Sequence, residues 1–379
     1  MLGSIARHFS AIQGSLFPFL KEELGPLTDQ HYSVIRVLDL LEIEKFVEGY
    51  GGSTPVGRPP SDRRAITRAF VSKAVLNLST TRQLLDRLSV DAALRRVCGW
   101  ERRSEVPSEA VFSRAFAELS EMQVPALIHE ALIQKAYDGE LVGHISRDST
   151  QIEAREKPVV KPEKPKKVEK KRGRPKKGEL REPKEPTRLE KQKEMTLEEM
   201  LEDLPKGCDV GCKRNSKGFQ ESWTGYKLHL DVADGGVPIS AILTSASVHD
   251  SQAAIALSLI TEKRVPYLYE LMDAAYDAPE IRSHSIEHGH VPIIDINTRR
   301  NTALKQEIAQ ESQRFSFINF ELPETRRFKE RSTVERANSA LKDSYTARSV
   351  RVRGHLKVFA HLMFGVLALT VEQLMRLTQ

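Results

Sequence analysis

The sequence predicts an α/β protein built on a mixed five-stranded sheet flanked by helices. An all-helical segment precedes the sheet, and a basic, disordered insert interrupts it. Three observations carry this. Residues 1–140 place apolar side chains at helical intervals, residues 141–154 and 205–350 alternate runs of strand length with helical ones, and 155–204 is rich in Lys, Glu and Pro without one aromatic residue. Such a stretch buries too little apolar surface to order itself.

In chain order, 30–47, 64–78 and 80–97 read as helices. Ser108 is placed to cap a further helix, Ala110 to Leu119, whose exposed face includes Ser113 and Arg114. Helix, short turn, helix is the shape of many major-groove readers and of any helical bundle. On the first reading 1–140 is a DNA-binding domain with Arg114 at the DNA. Residues 141–154 are the first strand and carry Asp148. After the insert, 225–233 alternates, Asp234-Gly235-Gly236 turns the chain, and 237–246 returns as a hairpin. His249-Asp250-Ser251 opens a helix to about Lys263, with Asp250 as its cap or as a support for a site. A strand ending at Asp273, a helix over 279–288, a strand over 291–296 and a helix over about 325–345 follow. That order, strand, hairpin, helix, strand, helix, strand, helix, is the order of an RNase H-like fold. Residues 351–379 read as a C-terminal helix packed on the core, because the apolar run 358–371 is too short to span a bilayer and contains His361.

Charge is concentrated. Residues 155–193 hold seventeen Lys or Arg against seven Glu, an excess larger than the net +6 of the whole chain, so the remainder is acidic. Within the insert, Lys171-Arg172-Gly173-Arg174-Pro175 matches the core of an AT-hook, whose arginines lie along a narrow A·T-rich minor groove. Any Lys/Pro-rich linker will sometimes spell the same letters, and phosphate attraction needs no such match. Cys98, Cys208 and Cys212 are too few and scattered for a disulfide framework, which indicates a reducing compartment. Cys208, Cys212 and His229 lack a fourth zinc ligand and the usual spacing. The N-terminus has no basic-then-apolar export signal, so the expected location is the cytoplasm.

Three acids carry the chemistry. Arg331, Glu335, Asn338 and Lys342 fall within a wedge of about 60° on a helix. Asp148 and Asp273 lie on strands that an RNase H-like sheet sets side by side, and the late helix crosses nearby. Two strand-borne aspartates and one helix-borne glutamate can hold a pair of divalent metals and catalyse phosphoryl transfer on DNA. Asp277 and Glu330 are nearby decoys: Asp273 ends the apolar strand, and only Glu335 fits the spacing of Arg331 and Lys342.

These residues resemble the DDE transposases of bacterial insertion sequences, in the group with a Tyr-x2-Arg-x3-Glu-x6-Lys signature. Arg331, Glu335 and Lys342 match that spacing, while Phe328 stands at the Tyr position. Asp148-Ser-Thr, Trp223-Thr-Gly-Tyr-Lys-Leu-His229, Ser247-Val-His-Asp250 and Asp273-Ala-Ala-Tyr276-Asp277 also look like the family, as do Gly57-Arg-Pro-Pro60 and the text around Arg114. The resemblance implies cutting at terminal inverted repeats and joining to target DNA, with Asp148, Asp273 and Glu335 holding two Mg2+ ions, Mn2+ serving as a substitute. Arg331, Lys342 and Asn338 would meet the transposon end. It also implies a homodimer on double-stranded DNA and a nucleoid-associated, bacterial setting. Two other readings stay open: a nuclease on the same fold without strand transfer, and a catalytically idle DNA-binding protein.

Overall fold

A computed structural model of the chain describes residues 16–48, 60–160, 185–214, 217–299 and 301–378, with four isolated positions before residue 16. The helical part comprises α1 (Phe17–Leu24), α2 (Asp29–Leu41), α3 (Glu44–Val47), α4 (Arg63–Val75), α5 (Thr81–Val90), α6 (Ala92–Cys98), α7 (Glu109–Glu121) and α8 (Val124–Tyr137). Two of the expected helices are broken for local reasons. Glu42 takes a left-handed conformation between α2 and α3. Asp91 ends α5 and caps α6, its carboxylate accepting from the Leu94 N–H at 2.9 Å while it pairs with His31. Ser108 sits at the N-cap of α7 but its side chain makes no cap bond.

The sheet has six strands: β1 (Val142–Glu153), β2 (Asp209–Arg214), β3 (Gln220–Ala233), β4 (Pro238–Ser245), β5 (Tyr267–Met272) and β6 (Val291–Ile294). β3 is antiparallel to β1, β2 and β4, and β1, β5 and β6 run parallel. Five strands were expected, in the RNase H-like arrangement; β2 is the addition, pairing with residues 220–225, where β3 begins earlier than its alternation suggests. On one face Leu228, Leu230 and Val232 meet α15 (Ser332–Ser344) and α16 (His355–Leu377). On the other, Ile242, Met272 and Ile294 meet α11 (Ser251–Glu262) and α12 (Pro279–Glu287). α13 (Thr302–Phe317) and α14 (Pro323–Phe328) link β6 to α15.

The insert is ordered at its far end, which corrects the expectation of disorder over 155–204. α9 (Arg188–Gln192) and α10 (Leu197–Asp203) start with capping boxes, Thr187 with Glu190 and Thr196 with Glu199. Gln192 is buried and donates to the Gln252 carbonyl at 2.8 Å, and Met200 and Leu204 join the core beside α11. The average composition of the segment masked this short amphipathic end. The AT-hook-like core, with Arg172 and Arg174, lies outside the described residues, as do 57–59 of the Gly-Arg-Pro-Pro phrase.

One apolar core runs from the first helices through Ile145, Val237 and Tyr267 of the sheet to Phe364 and Leu367 of α16. The helices before residue 140 therefore pack on the sheet and share its core. α16 is long and apolar enough to cross a membrane, but 78% of its apolar window is buried inside the fold. It is a core helix.

Candidate active site

Two of the three expected acids stand on neighbouring strands, Asp148 midway along β1 and Asp273 just past the end of β5. The β1–β5 register runs from Val142 opposite Tyr267 to Ser146 opposite Leu271; continued two residues, it sets Asp148 beside Asp273. The β5–β6 register ends at Met272 opposite Ile294, and one further step brings Asp295 beside Asp273. Asp273 and Asp295 thus follow the C-terminal ends of β5 and β6, level with Asp148 midway along β1. Asp273 also accepts from the Ala275 N–H at 2.9 Å, which fixes the turn after β5.

α15 crosses β1 at this level. Val334, Ala337 and Leu341 point into the core, and Asn338 donates to Asp148 Oδ2 at 3.3 Å. The second amide atom, Asn338 Oδ1, is buried without a partner. Glu335 stands one turn earlier on the same helix with its half-exposed carboxylate paired to Arg331 at 2.5 Å. Arg331 is not part of the regular helix: it ends a short 3-10 turn, Lys329–Arg331, and its guanidinium lies 5.8 Å from the centre of the Phe328 ring. The Ser146 hydroxyl donates to the Glu330 carbonyl at 3.1 Å and ties this turn to β1.

Burial first, and then the neighbouring Asp273, push the Asp148 carboxyl up to about 6, against the Ser149 N–H and Arg331. Burial likewise raises Asp295, with Asp273 adding to it and Arg331 opposing. Two crowded carboxylates offering only oxygen donors fit a hard divalent cation. The Tyr276 hydroxyl, buried without a partner and close enough to Asp250, Asp148 and Asp273 to feel their charge, is a further oxygen at this place. Among the described residues no three His, Cys, Asp or Glu side chains are grouped tightly enough to hold one ion.

The raised carboxyl has a consequence for stability. A free aspartate titrates near 3.8, so between that value and about 6 the folded chain binds more protons than the unfolded one. Asp148 therefore costs nothing at low pH, and the cost grows to about 3 kcal/mol above pH 6. Asp148→Asn should be more stable than the parent near pH 8 by up to about 3 kcal/mol, the gap closing below about pH 4. Denaturant unfolding at both pH values checks this; a gap independent of pH would place the carboxyl in an ordinary setting.

The Transposase DDE domain model matches residues 144–371, a range that holds Asp148, Asp273 and Glu335. A second model, the Transposase domain (DUF772), matches residues 22–118 in the helical part. The chain belongs to the DDE transposases. No curated protein and no solved structure gives a match. The transposase is accordingly a nucleic-acid-cutting enzyme with DNA as its substrate, of a family that uses divalent metals.

Several expected site residues of the transposase take other positions. Asn338 is only 6% exposed and donates to Asp148. Asp250 makes no cap bond; it pairs with Lys227 Nζ at 2.8 Å and bonds Ser149, the residue after Asp148. Asp277 is occupied by Arg282 and by the Asn297 N–H, a structural role. Lys342 is half-buried on the rim of α15, and Arg114 lies on the exposed face of α7. His229, once weighed for zinc, is buried and bonded to Thr244. Two residues were overlooked in the sequence. Asp295 had a legible signal, because Ile293-Ile294-Asp295 ends an apolar strand as Leu271-Met272-Asp273 does. Arg147 had none: nothing local shows that it is buried between Asp231 and Glu270.

Proposed function

We propose that this transposase cuts DNA at the terminal inverted repeats of an insertion sequence and joins the freed ends to target DNA by two-metal phosphoryl transfer. The observation that carries the reading is the side-by-side placement of Asp148 and Asp273 on adjacent parallel strands, beneath the helix that bears Glu335. Asp148, Asp273 and Glu335 would hold two Mg2+ ions, or Mn2+ in their place, and the ions would supply activation of a water or 3′-hydroxyl and stabilisation of the leaving 3′-oxygen. The chain's own groups set the conditions. Asp148 must be ionised, so its raised pKa weakens the site at acid pH. The Asn338 amide orients that carboxylate. Arg331 neutralises Glu335 while the site is empty of DNA and turns to a phosphate of the transposon end, and Lys342, in the last turn of α15, meets a second phosphate. Two ends must be joined, so the working form is a homodimer on double-stranded DNA.

A strand-transfer assay tests the reading: purified protein, Mg2+, labelled duplex carrying the element's end, and a target plasmid. Joined product is expected, whereas metal-dependent nicking without joining would mark a nuclease. Arg331→Ala and Lys342→Ala should each lower the slope of log affinity against log salt by about 1. An unchanged slope in both would remove them from the DNA interface.

A further inference from the structure

The ribbon formed by β2 and the first residues of β3 has no part in the chemistry described above, and it projects past the end of β1. Glu153, the last residue of β1, pairs with Gly225, and the Ala154 N–H donates to the Thr224 carbonyl at 3.0 Å; from Trp223 back to Gln220, β3 pairs with β2 alone. No core side chain requires this extension: Cys212, Lys213, Arg214, Gln220, Glu221 and Ser222 are all exposed. An isolated two-stranded ribbon is marginally stable in water. Its root is nonetheless built firmly.

Trp223 is buried and donates through Nε1 to the Tyr226 carbonyl at 3.0 Å, and its ring lies against Gly211, where a Cβ would approach it to 2.5 Å. Gly225 has φ +153°, and a Cβ there would stand 2.1 Å from the Ile152 carbonyl. The Ser247 hydroxyl donates to Asp209 at the start of β2. Ribbon and sheet therefore hold a defined direction relative to one another, and the phrase around Trp223 and Gly225 is the joint.

The far end carries charge. Lys213 and Arg214 lie on one arm and Lys217 on the approach to the other, opposed by Glu221, which sits across from Lys213. Phe219, 68% exposed, is set among them. Cations interleaved with an accessible aromatic ring suit nucleic acid, and a two-stranded ribbon has the width to enter a major groove. Lys342 links this end to the carboxylates. Its ammonium is lowered by burial and then by Lys213 and Arg348, with Glu153 and Asp148 acting the other way. Lys213 of the ribbon is thus near enough to Lys342 for the two charges to repel, a repulsion that a polyanion relieves, while Arg348 is paired with Asp343 at 2.6 Å.

We infer that this ribbon is a second DNA-binding element, gripping the duplex about one helical turn from the phosphate that is cut. Asp148 pairs with Leu230, and Gln220 is ten residues further along β3. At about 3.3 Å per residue the ribbon end lies up to roughly 33 Å from the carboxylates. One turn of B-form DNA is about 34 Å long, so the phosphates met are those about 8–10 base pairs from the cut. The inference rests on the carboxylates being the cutting site, as proposed above.

The test measures binding, so it is separate from strand transfer. Full-length protein and the triple variant Lys213→Ala/Arg214→Ala/Lys217→Ala are titrated with two duplexes across a range of salt, one extending about 5 and the other about 20 base pairs past the cleavage point. On the long duplex the variant should lose about 2–3 from the salt slope, and its preference for long over short should fall roughly 10- to 100-fold. Lys213→Arg/Lys217→Arg should retain both. An unchanged slope overturns the inference, and so does an equal loss on both duplexes, which would put the contact next to the cut. A protein that fails to join strands while its ribbon variants still lose the long-duplex preference would sink the proposed chemistry and leave DNA binding by the ribbon standing.

Discussion

Asp148→Ala, Asp273→Ala and Glu335→Ala, assayed singly on labelled duplex ends with Mg2+, should each lower strand cleavage by roughly 10³-fold or more. Each removes an oxygen ligand whose charge is needed only where the metal polarises the reacting phosphate. Affinity for the end should change little, because the cations that meet phosphate are untouched. The effect is largest for Asp148 and Asp273, which already stand side by side. Glu335 would have to release Arg331 to serve as a metal ligand, so Arg331→Ala should weaken DNA binding more than it weakens divalent-metal binding. Asp277→Ala is the control, since its carboxylate is held by Arg282 and the Asn297 N–H. A dead Asp277→Ala beside an active Asp273→Ala would reassign the second acid.

Arg147→Met should destabilise the fold by about 3–5 kcal/mol in denaturant unfolding, the largest loss expected from any polar substitution in this chain. The guanidinium is fully buried and bidentate to Asp231, at 2.7 and 2.8 Å, with Glu270 at 3.1 Å. It joins β1, β3 and β5 from the face opposite α15, one residue before Asp148. Hydroxyls complete the network: Thr261 donates to Asp231 at 2.6 Å, Ser258 and Tyr267 to Glu270 at 2.7 and 2.9 Å, and Ser285 also to Glu270. Removing the cation leaves two buried carboxylates with no countercharge. Burial alone would raise Glu270, but Arg147 and the hydroxyls hold it at about 2. That depressed value contributes stability at pH above the free value of 4.5, lost as pH falls through about 2. In Arg147→Met this acid limb should move to higher pH. Replacing Arg147, Asp231 and Glu270 together by apolar residues of similar volume should recover much of the loss. A single variant within about 1 kcal/mol of the parent would mean that the network is solvated and idle.

Much of the strand and helix order from residue 141 onward was legible because period-2 and period-3.6 patterning is local, but β2 and the 16-residue α13 were not read. The signature on α15 was legible for the same reason: Arg331, Glu335 and Lys342 recur at the spacing of one surface, although Arg331 turned out to precede the helix. Where composition was averaged over a long window the reading failed, as in 185–204, because capping boxes at Thr187 and Thr196 act over four residues. Other features had no local trace. That Asp273 meets Asp148 on one side and Asp295 on the other depends on the registers of β1, β5 and β6, set by pairing between distant segments. That Asp250 serves Lys227 instead of its own helix, that Asn338 is buried against Asp148, and that Arg147 is sealed between two acids were all decided by packing. A charged side chain carries the same letter whether it faces water or a countercharge in the core, and only the tertiary structure chooses between them.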